Sequence, residues 1–270
     1  MAHVDERQRE PLIVEPAALV DELAELASKS SEPVLAFDGD GTLWSGDVGE
    51  DVFHAALEER LLRESALPAL RREAERWGIS GDGDANEVAA RLFRAYLEQR
   101  YPERDACAMM TWCYAGMRRA ELVSVASRAF VARGLSERLH EELAPIFDFA
   151  RSRGIRTLVV SASPEPIVEA AAAHWELAPA DVVASRALED AGVILPELAG
   201  EVPYAEGKPR ALRRLVPNAD LLAAFGDNAF DVELFQAARV AVAVRPKPAL
   251  RRRFAEVATL CVLSERLKSG

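Results

Sequence analysis

Two carboxylates one residue apart, Asp38 and Asp40, close the apolar run Val34-Leu-Ala-Phe37 and are followed at once by Gly41 and Thr42. An apolar run bounded by turn residues reads as a buried strand. Acids at the carboxyl end of such a strand lie where open α/β sheets bind ligands. Two acids this close can divide the work, one attacking or holding a metal and the other moving a proton. The plain alternative is a solvated Asp-Gly turn, since both residues are common turn formers. Three later segments carry polar residues in comparable places: Ser161-Ala-Ser-Pro164, Gly207-Lys-Pro209, and Gly226-Asp-Asn228 with Asp231. Ser163 before Pro164 and Glu165 has the pattern of a helix cap. Lys208 is out of place at a helix start, where the dipole disfavours a cation, so an anion is expected beside it.

The elements that must position these residues follow from periodicity. Residues 15–29 predict an amphipathic helix leading into the first strand. From about 47 to 150 the pattern is helical, with candidates at 49–64, 66–77, 84–100, 103–115, 119–133 and 136–152, and apolar residues at three- and four-residue steps such as Leu122, Val125, Ala126 and Ala129. The break Gly78-Ile-Ser-Gly-Asp-Gly-Asp84 ends on a residue suited to cap the next helix. After Gly154 the texture changes. Ile155-Arg-Thr-Leu-Val-Val, Asp181-Val-Val-Ala-Ser, Leu221-Leu-Ala-Ala-Phe, Val240-Ala-Val-Ala-Val and Ala258-Thr-Leu-Cys-Val-Leu read as strands. Helices are expected from Pro164 to Trp175 and from Pro209 to Val216, and Gly192-Val-Ile-Leu suggests a hairpin. Strands alternating with helices imply an α/β fold, a doubly wound parallel sheet with an inserted all-helical subdomain.

The chain has 270 residues, 50% hydrophobic and 29% charged, with a formal net charge of −11. That composition predicts a globular fold. The acidic balance and the lack of a basic stripe argue against nucleic acid as partner and against anionic membranes. No apolar stretch reaches the ~20 residues of a membrane span, and the polar start Met-Ala-His-Val-Asp-Glu lacks a signal-peptide core. A soluble, cytoplasmic protein is expected. Cys107, Cys113 and Cys261 have neither the number nor the spacing of a disulfide framework or zinc site, and Cys107 and Cys113 read as core. His54, His140 and His174 form no spaced cluster.

The order and spacing of the four polar segments resemble the haloacid dehalogenase-like (HAD) hydrolases, most of all the phosphoserine phosphatase-like branch with a helical cap after the first strand. The likeness runs from about 31 to 263. It implies a core of residues 1–46 and 147–270 and a cap of 47–146. It makes Asp38 the nucleophile, Asp40 the general acid and base, and Lys208 the cation that pairs with Asp38 and the transferring phosphate. Thr42, Ser161, Ala162, Lys208 and Asn228 become the phosphate-binding set. Asp38, Asp40 and Asp227 become the metal set, and hard oxygen ligands with few protein contacts suit Mg²⁺. Asp231 stands behind them, orienting metal-bound water or Lys208, or else capping a helix. The function implied is Mg²⁺-dependent hydrolysis of a small phosphomonoester through an aspartyl-phosphate. The alternatives are a phosphotransferase using the same intermediate and a non-catalytic HAD binding domain, although every core catalytic position is filled.

Two departures bear on the substrate. Phe230 stands before Asp231 where phosphoserine phosphatases usually carry asparagine, and Ser161-Ala-Ser replaces their Ser-Gly-Gly. Specificity is expected from Asp47 and Glu50. Asp47 stands where that branch carries a glutamate that meets the substrate amine, and it is equally placed to cap the helix from Val48. Trp112 and Tyr114 suit either an ammonium site, as in phosphocholine or phosphoethanolamine, or the cap's own core. Arg118 and Arg119 suit either a second acidic group on the substrate or solvated surface.

Overall fold

The computed structural model describes residues 11–265. The expected polar N-terminal segment lies largely outside them, and the expected core segments extend beyond them at both ends. The chain runs β1 (Leu12–Val14), α1 (Pro16–Ala27) and β2 (Pro33–Phe37), then the helices α2 (Val48–Glu58), α3 (Leu67–Arg76), α4 (Ala85–Leu97), α5 (Glu103–Trp112), α6 (Arg119–Ala132) and α7 (Ala144–Arg153). It continues with β3 (Arg156–Pro164), α8 (Glu165–Ala172), β4 (Val182–Ser185) and the pair β5 (Ala187–Asp190) and β6 (Val193–Leu198). Last come α9 (Gly207–Leu215), β7 (Asp220–Gly226), α10 (Val232–Gln236), β8 (Val240–Ala243), α11 (Pro248–Arg251) and β9 (Leu260–Leu263).

Seven strands form one parallel sheet in the order β1-β9-β8-β7-β2-β3-β4. The doubly wound α/β fold expected from the alternation is therefore present. From β2 the chain steps outward through β3 and β4, then returns to the other side of β2 with β7. The strand order reverses between β2 and β7, and ligands bind at the carboxyl side of such a switch point. β5 and β6 pair antiparallel as a separate hairpin, which is the hairpin expected around Gly192.

β2 explains why the sheet is double-faced. Leu35 and Phe37 enter one apolar layer, and Val34 and Ala36 enter the other, as the two-residue period of a strand requires. Below the end of β2, Phe37 stacks on Phe225 of β7 at 4.0 Å and on Phe147 of α7 at 4.8 Å, and Phe147 stacks on Trp175 at 4.5 Å. The aromatic column ties β2, β7 and α7 together directly under the loop that begins at Asp38.

Two expectations change. The helix over 136–152 is instead two short 3₁₀ turns, Leu135–Glu137 and Glu141–Leu143, before α7. The backbone of 138–140 is used elsewhere: Ser45 N–H donates to the Arg138 carbonyl, His140 N–H donates to the Leu43 carbonyl, and Trp44 bridges Leu139 antiparallel. Pro145 in the first turn of α7 then sets the helix start. β1 is an added edge strand, three residues long and pairing only with β9, too short to carry a periodic signal. Asp84 caps α4 as expected, in a reciprocal box with Glu87. Among the described residues no helix is long and apolar enough to cross a membrane.

Removing the centre of the aromatic column should cost what a large buried aromatic costs. Phe37→Ala is expected to lower unfolding stability by ~3–5 kcal/mol, read as a shift of the urea midpoint. A loss below ~1 kcal/mol would mean that the column does not support the first strand.

Candidate active site

Asp38 follows the last residue of β2, and its backbone N–H donates to the Phe225 carbonyl of β7 at 2.9 Å. The sheet ladder itself therefore fixes where this carboxylate starts. Lys208, in the first turn of α9 and fully buried, donates from Nζ to Asp38 Oδ1 and to Asp231 Oδ1, each at 2.5 Å. This is the anion that its position at a helix start demanded. Burial works to pull the Lys208 ammonium down, but Asp231 and Asp38 outweigh it and hold the pKa above the usual lysine value. Burial also pushes Asp38 well above the carboxylate range, with Lys208 opposing and Asp231 and Asp227 adding to it. Thr42 Oγ1 donates to Asp38 Oδ2 at 3.3 Å.

Asp231 spends both oxygens. Oδ1 takes Lys208, and Oδ2 accepts the backbone N–H groups of Asp227 and Asn228 at 3.1 and 2.9 Å. Gly226 permits this, since a Cβ there would lie 2.6 Å from Asp231 Cγ. Asn228 uses its Oδ1 on the Ala229 N–H at 2.7 Å. Asp227 follows β7 and is buried, with Oδ2 2.8 Å from Lys247 Nζ and Oδ1 without any hydrogen-bond partner. Gly41, at φ +86°, lies so close that a Cβ there would sit 2.1 Å from Asp227 Oδ2; only glycine serves at that turn.

Asp40 is held quite differently. Its Oδ1 accepts the Trp44 indole N–H at 2.8 Å and the Val48 backbone N–H at 2.7 Å. Its Oδ2 accepts the Ser163 hydroxyl at 2.7 Å and the Ser161 hydroxyl at 3.5 Å. Ser163 is thus not a helix cap. α8 begins beyond Pro164 with no side-chain cap, because the Ser163 hydroxyl is spent on Asp40. Ser161 Oγ accepts the Ser163 N–H at 3.1 Å, and the Ala162 carbonyl accepts the Ser185 hydroxyl.

A strap holds this loop from behind. The buried His140 donates from Nδ1 to the Thr42 carbonyl and accepts the Ser45 hydroxyl at Nε2, each at 2.9 Å, a tautomer assigned from its partners. Burial, and then Arg245, keep the His140 imidazole below its ordinary pKa. Arg245 is itself paired with the buried Glu142 at 2.6 and 2.8 Å.

Near Asp40, Asp47 caps α2 by accepting the Glu50 N–H at 2.7 Å, so the capping alternative is realised. Burial, then Asp40 and Glu50, push its carboxyl well up. Burial, then Asp40, Asp51 and Glu103, push Glu50 up as well. Glu103, at the start of α5, accepts the Tyr204 hydroxyl at 3.2 Å. Tyr204 packs on Phe230 at 5.0 Å, and Phe230 lies 4.9 Å from Lys208 Nζ, a cation–π distance. Phe230 therefore meets Lys208 with an aromatic face. Trp112 and Tyr114 are both buried. Arg119 is partly buried and ion-paired: it meets Glu165 at 3.1 Å, Glu169 at 2.7 Å and Glu189 at 3.1 Å, joining α6 to α8 and β5. Cys107 is only partly buried, whereas Cys113 is fully so.

The four motif segments are brought together. The sequence reading missed Trp44, Ser163 as a partner of Asp40, His140, Glu103, Tyr204 and Lys247. For Ser163 the signal lay in its spacing two residues from Ser161; for Lys247 it lay in a lysine between two prolines just after a buried strand.

A family model described as haloacid dehalogenase-like hydrolase matches residues 35–236. The chain belongs to the haloacid dehalogenase-like hydrolase family. This HAD chain also resembles a functionally unknown protein from Anaerococcus prevotii, at 16% identity and TM-score 0.65, over 95% of this chain and 93% of that one. A HAD family hydrolase from Salmonella enterica serovar Typhi matches at 16% and 0.55, over 89% and 75%. A substrate-bound phosphoserine phosphatase matches at 17% and 0.52, over 86% and 93%. At these identities the likeness is one of fold. No curated protein matches the chain.

HAD hydrolases as a group imply a divalent cation, and the residues fit one. Asp38, Asp227 and Asp231 bring carboxylate oxygens within 4.8 Å of one another, and the buried Asp227 Oδ1 has no other partner. Hard oxygen donors suit Mg²⁺. Both Asp231 oxygens are engaged at close range, Asp38 Oδ2 accepts only the long bond from Thr42, and Asp227 Oδ1 accepts none, so Asp227 and then Asp38 have the most ligand capacity.

Asp227 carries a pH prediction. Burial, then Asp231, push its carboxyl up to about 6 against the pull of Lys247. The folded chain then holds this proton more tightly than the unfolded chain, so the associated stability is complete below about pH 4 and is lost as pH rises through about 6. In chelator-treated protein, Asp227→Asn is expected to gain stability relative to wild type between pH 4 and 7 by urea titration. A difference independent of pH would contradict the environment described.

Proposed function

We propose that the chain is a Mg²⁺-dependent phosphomonoesterase acting on a small phosphorylated metabolite through an aspartyl-phosphate. The observation that carries this reading is the unequal treatment of the two acids. Asp38 is buried against Lys208, while Asp40 is gripped at both oxygens by Trp44, Val48 N–H, Ser161 and Ser163. Membership of a hydrolase family supports it, as does the fold shared with a phosphoserine phosphatase.

In the first step Asp38 attacks phosphorus, the ester P–O bond breaks, and Asp40 gives its proton to the departing oxygen. In the second, water attacks the phosphorus of the acyl phosphate, Asp40 takes the water's proton, and the bond to Asp38 breaks to release phosphate. A divalent cation on Asp38, Asp227 and the Asp40 carbonyl would offset repulsion between the attacking carboxylate and the phosphate. Lys208 and Thr42 hold Asp38 in place, and with Ser161, the Ala162 N–H and Asn228 they form the proposed phosphate cradle. Asp231 keeps Lys208 aimed while tying down the backbone at Asp227. Segment 47–146 serves as the cap that excludes bulk water.

The substrate we infer carries a cationic group, as phosphoserine, phosphoethanolamine and phosphocholine do. After burial, Asp40 and Glu50 raise Asp47, and Asp40, Asp51 and Glu103 raise Glu50, and Tyr204 adds an aromatic wall beside Glu103. A dianionic ester alone would meet net repulsion there, and an ammonium relieves it.

The test is phosphate release from a panel of small phosphomonoesters, amine-bearing and not, with Mg²⁺ or chelator, for wild type and Asp38→Asn. Metal-dependent release that prefers amine esters and is lost in the variant, by a factor of at least ~10³, is expected. Retained turnover in Asp38→Asn would overturn the nucleophile, and transfer to an added alcohol without free phosphate would make the protein a phosphotransferase.

A further inference from the structure

The segment after β8 reads Val244-Arg-Pro-Lys-Pro248, and it is stitched to the acid at the end of β7. Val244 N–H donates to the Gly226 carbonyl, and Lys247 N–H donates to the Asp227 carbonyl at 2.8 Å. Prolines on both sides of Lys247 restrict its backbone, and Lys247 closes the segment as the residue before the first turn of α11. Lys247 is thus fastened to Asp227 twice, by its backbone and by an Nζ to Oδ2 contact of 2.8 Å. The two ends of that ion pair differ: Asp227 is 1% exposed and the Lys247 side chain 49%. The carboxylate is fixed, while the ammonium has solvent to move into.

The other cation of the site has no such freedom. Lys208 is fully buried and committed to Asp38 and Asp231. Among the described residues, Lys247 is the cation paired with Asp227, and Asp38 and Asp40 also act on its ammonium. Two positive charges therefore stand among the carboxylates whose oxygens suit a divalent cation, and the more exposed one, Lys247, takes one of the two Asp227 oxygens.

Resting on the metal-dependent reading above, we propose that Lys247 is a positioning residue that competes with the divalent cation for Asp227 and so sets the site's cation affinity. Its ammonium compensates the buried carboxylate, and a cation taken up at the unpartnered Asp227 Oδ1 meets that positive charge on the other oxygen of the same carboxylate, a repulsion relieved as the ammonium moves toward Asp47 and Glu50. The contact is worth little net energy because one partner is half exposed, which makes it easily displaced. The backbone bond from Lys247 N–H to Asp227 does not depend on the side chain and remains in any variant except proline.

Calorimetric titration of chelator-treated protein with MgCl₂ tests this, on wild type, Lys247→Met, Lys247→Arg and Asp227→Asn. Lys247→Met is expected to bind Mg²⁺ about three- to tenfold more tightly, as loss of ~1 kcal/mol of competition implies. It should also show a larger Mg²⁺-induced rise in melting temperature. Lys247→Arg should stay near wild type, and Asp227→Asn should abolish the heat. Wild-type binding with unchanged or weaker affinity in Lys247→Met would overturn the role of Lys247 and leave the metal site standing. Absence of Mg²⁺ binding in wild type would overturn both. Lys247→Gln, expected to behave as Lys247→Met, replaces it should the methionine variant not fold.

Discussion

A lysine ammonium with no exposure to water, clamped between two buried carboxylates, is the constraint that organises this protein. Lys208 cannot be left unpaired, because a lone buried charge is strongly destabilising. Its partners come from separate stretches of chain: Asp38 follows β2, Asp231 closes the turn before α10, and Lys208 itself lies in the first turn of α9. The ion triad is thus satisfied only when β2, β7 and α9 have taken their places. Asp231 extends the constraint by accepting the N–H groups of Asp227 and Asn228. One carboxylate thereby sets both the cation beside the proposed nucleophile and the backbone that carries the acid suited to a metal.

The two acids of the first motif then acquire different characters from their surroundings alone. Asp38 sits in the buried charge cluster above the aromatic column. Asp40, two residues on, is turned toward the first N–H of α2, the Trp44 indole and the hydroxyls of the β3 end. Its donors come from both the sheet and the start of the inserted helices, so the position of the helical segment and the position of the second acid are coupled. The His140 strap adds to this by fastening the Thr42–Ser45 loop to the segment that returns toward α7. Arg119 ties the same inserted helices to α8 and β5 through three carboxylates.

Most of the sheet was legible because buried parallel strands are short, apolar and bounded by turn residues, as in Leu221–Phe225. The motif acids were legible because their chemistry requires fixed types at fixed spacings. What the residue order concealed were pairings between distant segments. Residues 136–143 carry a helical apolar spacing, yet their backbone is claimed by the loop at Leu43–Ser45. Ser163 has the local signature of a cap, yet its hydroxyl is taken by Asp40, 123 positions away in sequence. Arg119 reads as surface until three glutamates from other elements surround it. Lys247 stands between two prolines after a buried strand, but its partner is set by the adjacency of β7 and β8, which brings it to Asp227.

The role proposed for Asp38 turns on where the phosphoryl group goes. The most direct measurement is peptide mass mapping of acid-quenched protein after brief reaction with an activated aryl phosphate and Mg²⁺, using Asp40→Asn to slow loss of the intermediate. A phosphoryl group on the peptide containing Asp38, lost on treatment with hydroxylamine, is expected. Phosphate release with no modified peptide, or modification at another residue, would contradict it.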